Sequence, residues 1–268
     1  MGDPLDDRLG PRRIELRSRT RWIGSLAIHD VSSEQAVELI IRQARKGSGG
    51  YVCTPNADYV VKARRDEAFR KAVNGAMLRI ADGMWIVYAS LIAGRRIHRS
   101  ATGRLLIPEI SDAAVRAGLS VAFYGGAPGV AEAAAARSRE ASPGLQVVAA
   151  VSPPMGLVVG SEADQDSVRP LVEVGPAIVF VGLGAPRGAT WMERHTSDLP
   201  DSILIEIGAG IDLVAGRFKI APRWMTRTGL EWLFRLAQEP RRLFRRYLIE
   251  DPWILWWAFR TRLSGDRP

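Results

Sequence analysis

Val121-Ala122-Phe123-Tyr124-Gly125-Gly126-Ala127-Pro128-Gly129-Val130 opens the stretch that decides the fold. A short apolar run ends on a glycine-rich turn, and a helical pattern, Val130–Glu140, follows at once. The run is continuously apolar rather than alternating, which predicts a parallel strand covered on both faces. The unit recurs downstream: Ala177–Val181 leads into Gly182-Leu183-Gly184-Ala185-Pro186 and the pattern Thr190–Asp198, and Ile203–Ile207 leads into Gly208-Ala209-Gly210. Upstream, Tyr51–Thr54 precedes Ala57–Val73, and Met77–Ala81 precedes Met84–Ala93. Gln146–Val151 precedes Asp164–Val172, and Ser33–Arg45 and Leu105–Arg116 complete the helical patterns, with Ser32 and Gln35 spaced as a capping box. This alternation predicts an α/β fold, a Rossmann-like, mostly parallel sheet sandwiched by helices.

The 268 residues suffice for one large domain, or one domain with an appendage, and a composition of 47% hydrophobic and 25% charged residues excludes wholesale disorder. A single cysteine, Cys53, excludes a disulfide framework or a cysteine-rich zinc module, and it reads as a small buried hydrophobe. His29, His98 and His195 lack metal-ligand spacing, and His98 and His195 read as surface residues. No apolar run is long enough to span a bilayer, and the polar start lacks a signal-peptide core, so a cytoplasmic location is expected.

The charge is uneven. Residues 217–268 hold eleven Arg and one Lys against five acids, a net of +7 out of the chain's +8, together with five of the eight tryptophans. The chain therefore divides into a polar, flexible N-terminal segment (1–20), a nearly neutral Rossmann-like core (21–216) and a basic, Trp/Arg-rich helical appendage (217–268). Such an appendage suits phosphate-bearing partners: nucleic acid, an anionic membrane surface or a phosphorylated substrate. In Pro240–Ile249, Leu243, Phe244, Tyr247 and Leu248 share one helical face and Arg241, Arg242, Arg245 and Arg246 the other; beyond Pro252, Trp253, Trp256 and Trp257 line one side of a further helix. A docked helical pair with a solvated basic face and an interfacial membrane arm both fit. No recognised nucleic-acid-binding module is present, which disfavours that partner. Exposed apolar surface could instead pair two copies into a homo-oligomer off the membrane.

Glycine turns at the carboxyl ends of parallel strands let backbone N–H groups approach a phosphate, so Gly125, Gly126 and Gly184, with Arg187 opening the following helix, are candidate substrate-binding residues. None of the turns is a Walker A loop or a dinucleotide fingerprint, which disfavours ATP and NAD. Asp82-Gly83 closes one strand and Thr54-Pro55-Asn56 another, so adjacent strand ends would gather Asp82, Thr54 and Asn56 into one crevice. There the carboxylate could take a proton from an attacking hydroxyl while Thr54 and Asn56 orient a sugar; equally, Asp-Gly is a turn and Thr-Pro-Asn a helix entry. Asp164-Gln165-Asp166 matches a metal-holding DxD but opens a helix, where acids suit the dipole.

Taken together, Thr54-Pro55-Asn56-Ala57-Asp58, Ile80-Ala81-Asp82-Gly83, Phe123-Tyr124-Gly125-Gly126 and Val181-Gly182-Leu183-Gly184-Ala185-Pro186 resemble the WecG/TagA/CpsF glycosyltransferase family. So do Gly216-Arg217 with Ala221-Pro222-Arg223-Trp224, and above all Gly229-Leu230-Glu231-Trp232-Leu233-Phe234-Arg235-Leu236 through Glu239-Pro240-Arg241-Arg242. The resemblance covers roughly residues 22–250 in the family's order. It implies an inverting, metal-independent, cofactor-free glycosyltransferase that moves an N-acetylmannosamine-type or related sugar from a UDP donor to a polyprenyl-diphosphate-linked sugar in cell-envelope or exopolysaccharide synthesis. The enzyme would work peripherally at the inner face of the cell membrane. The resemblance also implies Asp82 as general base, Thr54 and Asn56 as substrate contacts, and Arg235, Arg242 and Arg245 as holders of the diphosphate charge. Two departures stand out. Gly188-Ala189 replaces the Gln-Glu usual after the Gly-Ala-Pro turn, and Ser100 and Leu105 stand where Arg and Asp are usual, with Arg99 and Arg104 nearby. They leave open an alternative, a catalytically weakened relative that binds nucleotide sugar or docks at a membrane assembly.

Overall fold

The computed structural model describes residues 20–94, 96–97, 103–219, 222, 225 and 231–264. Strands β1 (Thr20–Ile23) and β2 (Leu26–His29) form an antiparallel hairpin turning at Gly24, whose φ is 57°. The sequence patterns did not announce this hairpin. The main sheet comprises β3 (Gly50–Cys53), β4 (Leu78–Arg79), β5 (Val121–Gly125), β6 (Val147–Val151), β7 (Ile178–Gly182) and β8 (Ile203–Glu206). Their order is β4-β3-β8-β7-β5-β6, and every neighbouring pair is parallel. The expected α/β fold is therefore the one adopted.

Helices α1 (Ser33–Arg45), α5 (Gly103–Ala117), α6 (Val130–Ala141) and α9 (Gly210–Val214) cover one face. There Ile40, Ile110 and Ala134 pack against Val52, Phe123, Phe180 and Ile205. Helices α2 (Ala57–Ala63), α3 (Glu67–Gly75), α4 (Met84–Ile92), α7 (Glu162–Val174) and α8 (Arg187–His195) cover the other, against Cys53, Tyr124, Val179 and Leu204. Burial on both sides explains why these strands read as unbroken apolar runs. The capping box at Ser32 forms as its spacing predicts.

Two helices depart from their expected bounds. The single helix expected over 57–73 is broken, because the Asp66 carboxylate accepts the Phe69 amide at 2.9 Å and starts α3 afresh. Helix α8 begins at Arg187, immediately after the Gly182–Pro186 turn and ahead of the expected Thr190. Its first turn consequently faces the carboxyl edge of the sheet.

After the sheet come α10 (Glu231–Gln238), α11 (Pro240–Arg245) running into a π-helical turn at Arg246–Glu250, and α12 (Trp253–Ser264). Helix α12 packs on α4 and α2, with the Arg64 guanidinium 4.3 Å over the Trp257 ring and Arg262 donating to the Ile92 carbonyl at 3.4 Å.

Candidate active site

Parallel strands deliver their carboxyl ends to one edge of the sheet, and three loops meet there. β3 exits through Thr54-Pro55-Asn56, β4 through Ala81-Asp82-Gly83, and β8 through Ile207-Gly208. The Asp82 amide donates to the Pro55 carbonyl at 2.8 Å, and the Ile80 amide to the Cys53 carbonyl at 3.0 Å. Buried Thr54 donates its hydroxyl to the Glu206 carbonyl at 3.2 Å, tying β3 to β8. The structure thus brings the loops carrying Thr54, Asn56 and Asp82 together at the carboxyl edge of the sheet. Asn56 accepts the Tyr59 amide at 3.3 Å as the N-cap of α2, so its helix-entry role is realised. Asp82 is half-buried beside Gly83, whose φ of 83° lets the chain swing into α4.

A residue that the sequence reading passed over lies beneath them. Glu206 is 1% exposed, and neither carboxyl oxygen reaches a partner in hydrogen-bond geometry. Burial pushes its pKa from 4.5 up to about 7; the nearby Tyr59 hydroxyl draws it part of the way back, the Asp82 carboxylate raises it and the Lys62 ammonium lowers it. A β-carbon at Gly188, in the first turn of α8, would stand 2.5 Å from Glu206 Oε1. The Glu206 carboxyl therefore occupies the space that a side chain at 188 would need. Lys62, also passed over, bonds Asp58 Oδ2 at 2.8 Å and the Ala185 carbonyl at 2.9 Å, placing a cation against the β7 turn.

The glycine turns divide by task. Gly125 has φ 126°, and its β-carbon would meet Gly182 backbone atoms at 2.6 Å, so its lack of a side chain lets β5 and β7 close on each other. Gly126 donates to the Gly182 carbonyl at 3.2 Å, and a β-carbon there would strike Val130. Gly184 and Gly208, with φ 69° and 48°, instead face open space. Arg187 is exposed at the start of α8 and reaches the Leu157 carbonyl at 3.4 Å.

The appendage meets the start of α4 through aromatics. Trp232 of α10 lies 6.4 Å from Trp85, in the first turn of α4, and 6.3 Å from Tyr247. Arg235 is half-buried on α10; Arg245 is exposed and pairs with Glu250 at 3.0 Å. The Arg242 side chain lies outside the described residues, as do Arg99, Ser100, Ala221, Arg223, Trp224, Gly229, Leu230 and the side chains of Arg104, Leu105 and Glu231. Of the apolar face expected in 240–249, Leu243 and Tyr247 are buried, but Phe244 and Leu248 are exposed, so only the 243/247 edge of that face meets the core.

The model of the Glycosyl transferase WecG/TagA/CpsF family matches residues 21–268. The chain belongs to this family. It is similar to the N-acetylglucosaminyldiphosphoundecaprenol N-acetyl-beta-D-mannosaminyltransferase of Bacillus spizizenii, at 26% identity over 204 residues that make up 76% of each chain. The Bacillus subtilis protein of the same name is 24% identical over 75% of this chain and 76% of its own, and that of Staphylococcus aureus 24% identical over 73% and 74%. The protein is thus a WecG/TagA/CpsF glycosyltransferase.

Within this family member the DxD-like pair is structural. Asp164 is fully buried, accepting from Trp191 Nε1 at 2.8 Å and the Gly160 amide at 2.7 Å, whereas Asp166 pairs with Arg169. His195, read as a surface residue, is buried: its Nε2 lies 3.0 Å from Asp164 and its Nδ1 2.7 Å from Asp198. Arg194 beside it in sequence suggested a polar setting, but α8 turns His195 onto Trp191, 4.7 Å away. Cys53 is buried as expected, and burial pushes its thiol well above the usual range.

Proposed function

We propose that this glycosyltransferase moves an N-acetylmannosamine-type sugar, with inversion and without a metal, from a UDP donor to a polyprenyl-diphosphate-linked sugar at the inner membrane face. The observation that carries the reading is the Asp82–Pro55 bond, which holds a half-buried carboxylate beside Thr54 and Asn56 at the carboxyl edge of the sheet. The names of the Bacillus and Staphylococcus relatives supply the sugar and acceptor classes.

In this reading the Asp82 carboxylate accepts the proton of the acceptor hydroxyl as its oxygen bonds to the anomeric carbon. The bond from that carbon to the β-phosphate oxygen breaks on the opposite face, and UDP departs with the electron pair. Thr54 and Asn56 orient the sugars. Arg235, Arg242 and Arg245 of the appendage, with Arg187 and the Gly184 turn, answer the charge on the leaving diphosphate, while Gly125 and Gly126 serve the closure of β5 on β7. Transfer without a metal is supported by the engagement of Asp164 and Asp166 elsewhere.

The division into an N-terminal segment (1–20), a catalytic core (21–216) and a membrane-binding appendage (217–268) belongs to the same proposal. It is supported by the exposure of Phe244, Leu248, Ile249, Trp253, Trp256 and Phe259 beside exposed Arg241 and Arg260. No helix among the described residues is long and apolar enough to cross a membrane, so the attachment would be peripheral.

The test is UDP release from a panel of UDP-sugars with a short-chain polyprenyl-diphosphate-N-acetylglucosamine acceptor and EDTA present. Acceptor-dependent release with one donor is expected. Donor binding without product from any acceptor would mark a docking relative instead.

A further inference from the structure

Leu204 and Glu206 are two positions apart on β8 and so share the face that α2 and α8 cover. On that face Glu206 meets a specific set of groups. Gly188 of α8 leaves room for the carboxyl, and α8 has no capping side chain at its N-terminus. From α2 come the Tyr59 hydroxyl and the Lys62 ammonium, the latter already paired with Asp58; β3 contributes the Cys53 thiol and the loop after β4 the Asp82 carboxylate. Tyr59 and Cys53 are both held neutral, since burial pushes each well above its usual range. The Tyr59 hydroxyl lies close enough to favour the ionised form, yet neither Glu206 oxygen is held in good hydrogen-bond geometry.

A buried carboxyl so placed has no solvent to screen it, and the Tyr59 hydroxyl and Lys62 ammonium together do not offset the cost of its burial. Ionised, it adds a negative charge below a crevice that already contains Asp82 and, in the proposed reading, receives a sugar diphosphate. We propose that Glu206 is a proton-linked determinant of donor binding: a UDP-sugar docks when this carboxyl is protonated and is excluded when it ionises. The inference rests on the reading of the crevice as a sugar-diphosphate site. It also assigns a use to the exchange at Gly188, because a side chain there would evict the carboxyl.

The probe is UDP-N-acetylglucosamine, whose diphosphate is a diester and keeps constant charge through neutral pH. With Glu206 titrating at about 7, its protonated fraction falls about tenfold between about pH 6 and 8, and the Kd of the wild-type protein is expected to rise by the same factor. Glu206→Gln, which imitates the protonated side chain, is expected to bind equally well across that range. Calorimetry in two buffers of different ionisation enthalpy supplies a reading that needs no variant: at about pH 7 the wild type should take up about half a proton on binding. The same pH dependence in Glu206→Gln, or no proton uptake by the wild type, overturns the assignment. A wild type that binds the probe at no pH overturns the crevice reading itself.

Discussion

The main-chain amide of Asp82 is bonded to the carbonyl of Pro55, so the turn bearing the proposed base hangs from the turn bearing Thr54 and Asn56. Because that bond involves no side chain, Asp82→Asn should leave the turn in place. Its melting temperature is expected within a few degrees of wild type, while kcat falls by about 10²–10⁴. Thermal denaturation and UDP release check the pair, and undiminished turnover removes Asp82 from its role.

Gly188 and Glu206 share one space. Gly188→Ala sets a β-carbon 2.5 Å from Oε1 and is expected to cost about 1–3 kcal/mol in urea unfolding. In a Glu206→Ala background most of that cost should vanish, giving a large coupling in the double-mutant cycle. Additive effects would mean that the two residues do not compete.

The same carboxyl gives stability a pH dependence of definite sign. In the unfolded chain Glu206 titrates near 4.5 and in the fold near 7, so between those values the native state binds more protons. Its contribution is complete below about 4.5 and is lost as pH rises through about 7, a difference of roughly 3 kcal/mol. Glu206→Gln should therefore gain stability over wild type between pH 5 and pH 8. Parallel urea curves at those two pH values decide it.

Trp253 and Trp256 are each 53% exposed. If they enter a bilayer interface, replacing either by Ala removes roughly 1.5 kcal/mol of apolar burial and weakens binding to anionic vesicles about tenfold. Added salt should weaken it further through the arginines. Vesicle sedimentation that is indifferent to both changes would leave the appendage without a membrane role.

Asp164→Ala strands the Trp191 indole N–H, the Gly160 amide and His195 in a dry interior. A loss of roughly 3 kcal/mol in unfolding free energy is expected, with turnover per folded molecule unchanged. A selective loss of turnover at intact stability would return Asp164 to catalysis.

Much of this architecture is written locally. The runs 121–125, 178–182 and 203–206 are apolar throughout because both faces of the sheet are covered, and parallel strands bring their exits together, so Thr54, Asn56 and Asp82 could be grouped from sequence. The β1–β2 hairpin escaped because Arg21 and His29 interrupt its short strands; His29 is instead held by Arg79, whose amide donates to Nδ1 at 3.0 Å, and burial lowers its pKa to about 4. Glu206 escaped for a different reason. Within Ile203-Leu204-Ile205-Glu206-Ile207 it looks like a charge at a strand end, and only the approach of α8 and α2 from distant sequence buries it. The arginines of the appendage were legible as charge but not as geometry, since the Arg245–Glu250 pair spans the π-helical turn.

Helix α4, Met84-Trp85-Ile86-Val87-Tyr88-Ala89-Ser90-Leu91-Ile92, is apolar nearly all round because the β1–β2 hairpin meets it on one side and α12 covers another. Those two partners are made at very different times. The hairpin precedes α4 in the chain and can close on it as soon as both have been made, whereas α12 begins only at Trp253, after every strand of the main sheet. Until α12 docks, the strip of α4 that it covers lies bare, so this part of the core is completed from the far end of the described fold rather than by its neighbours in sequence.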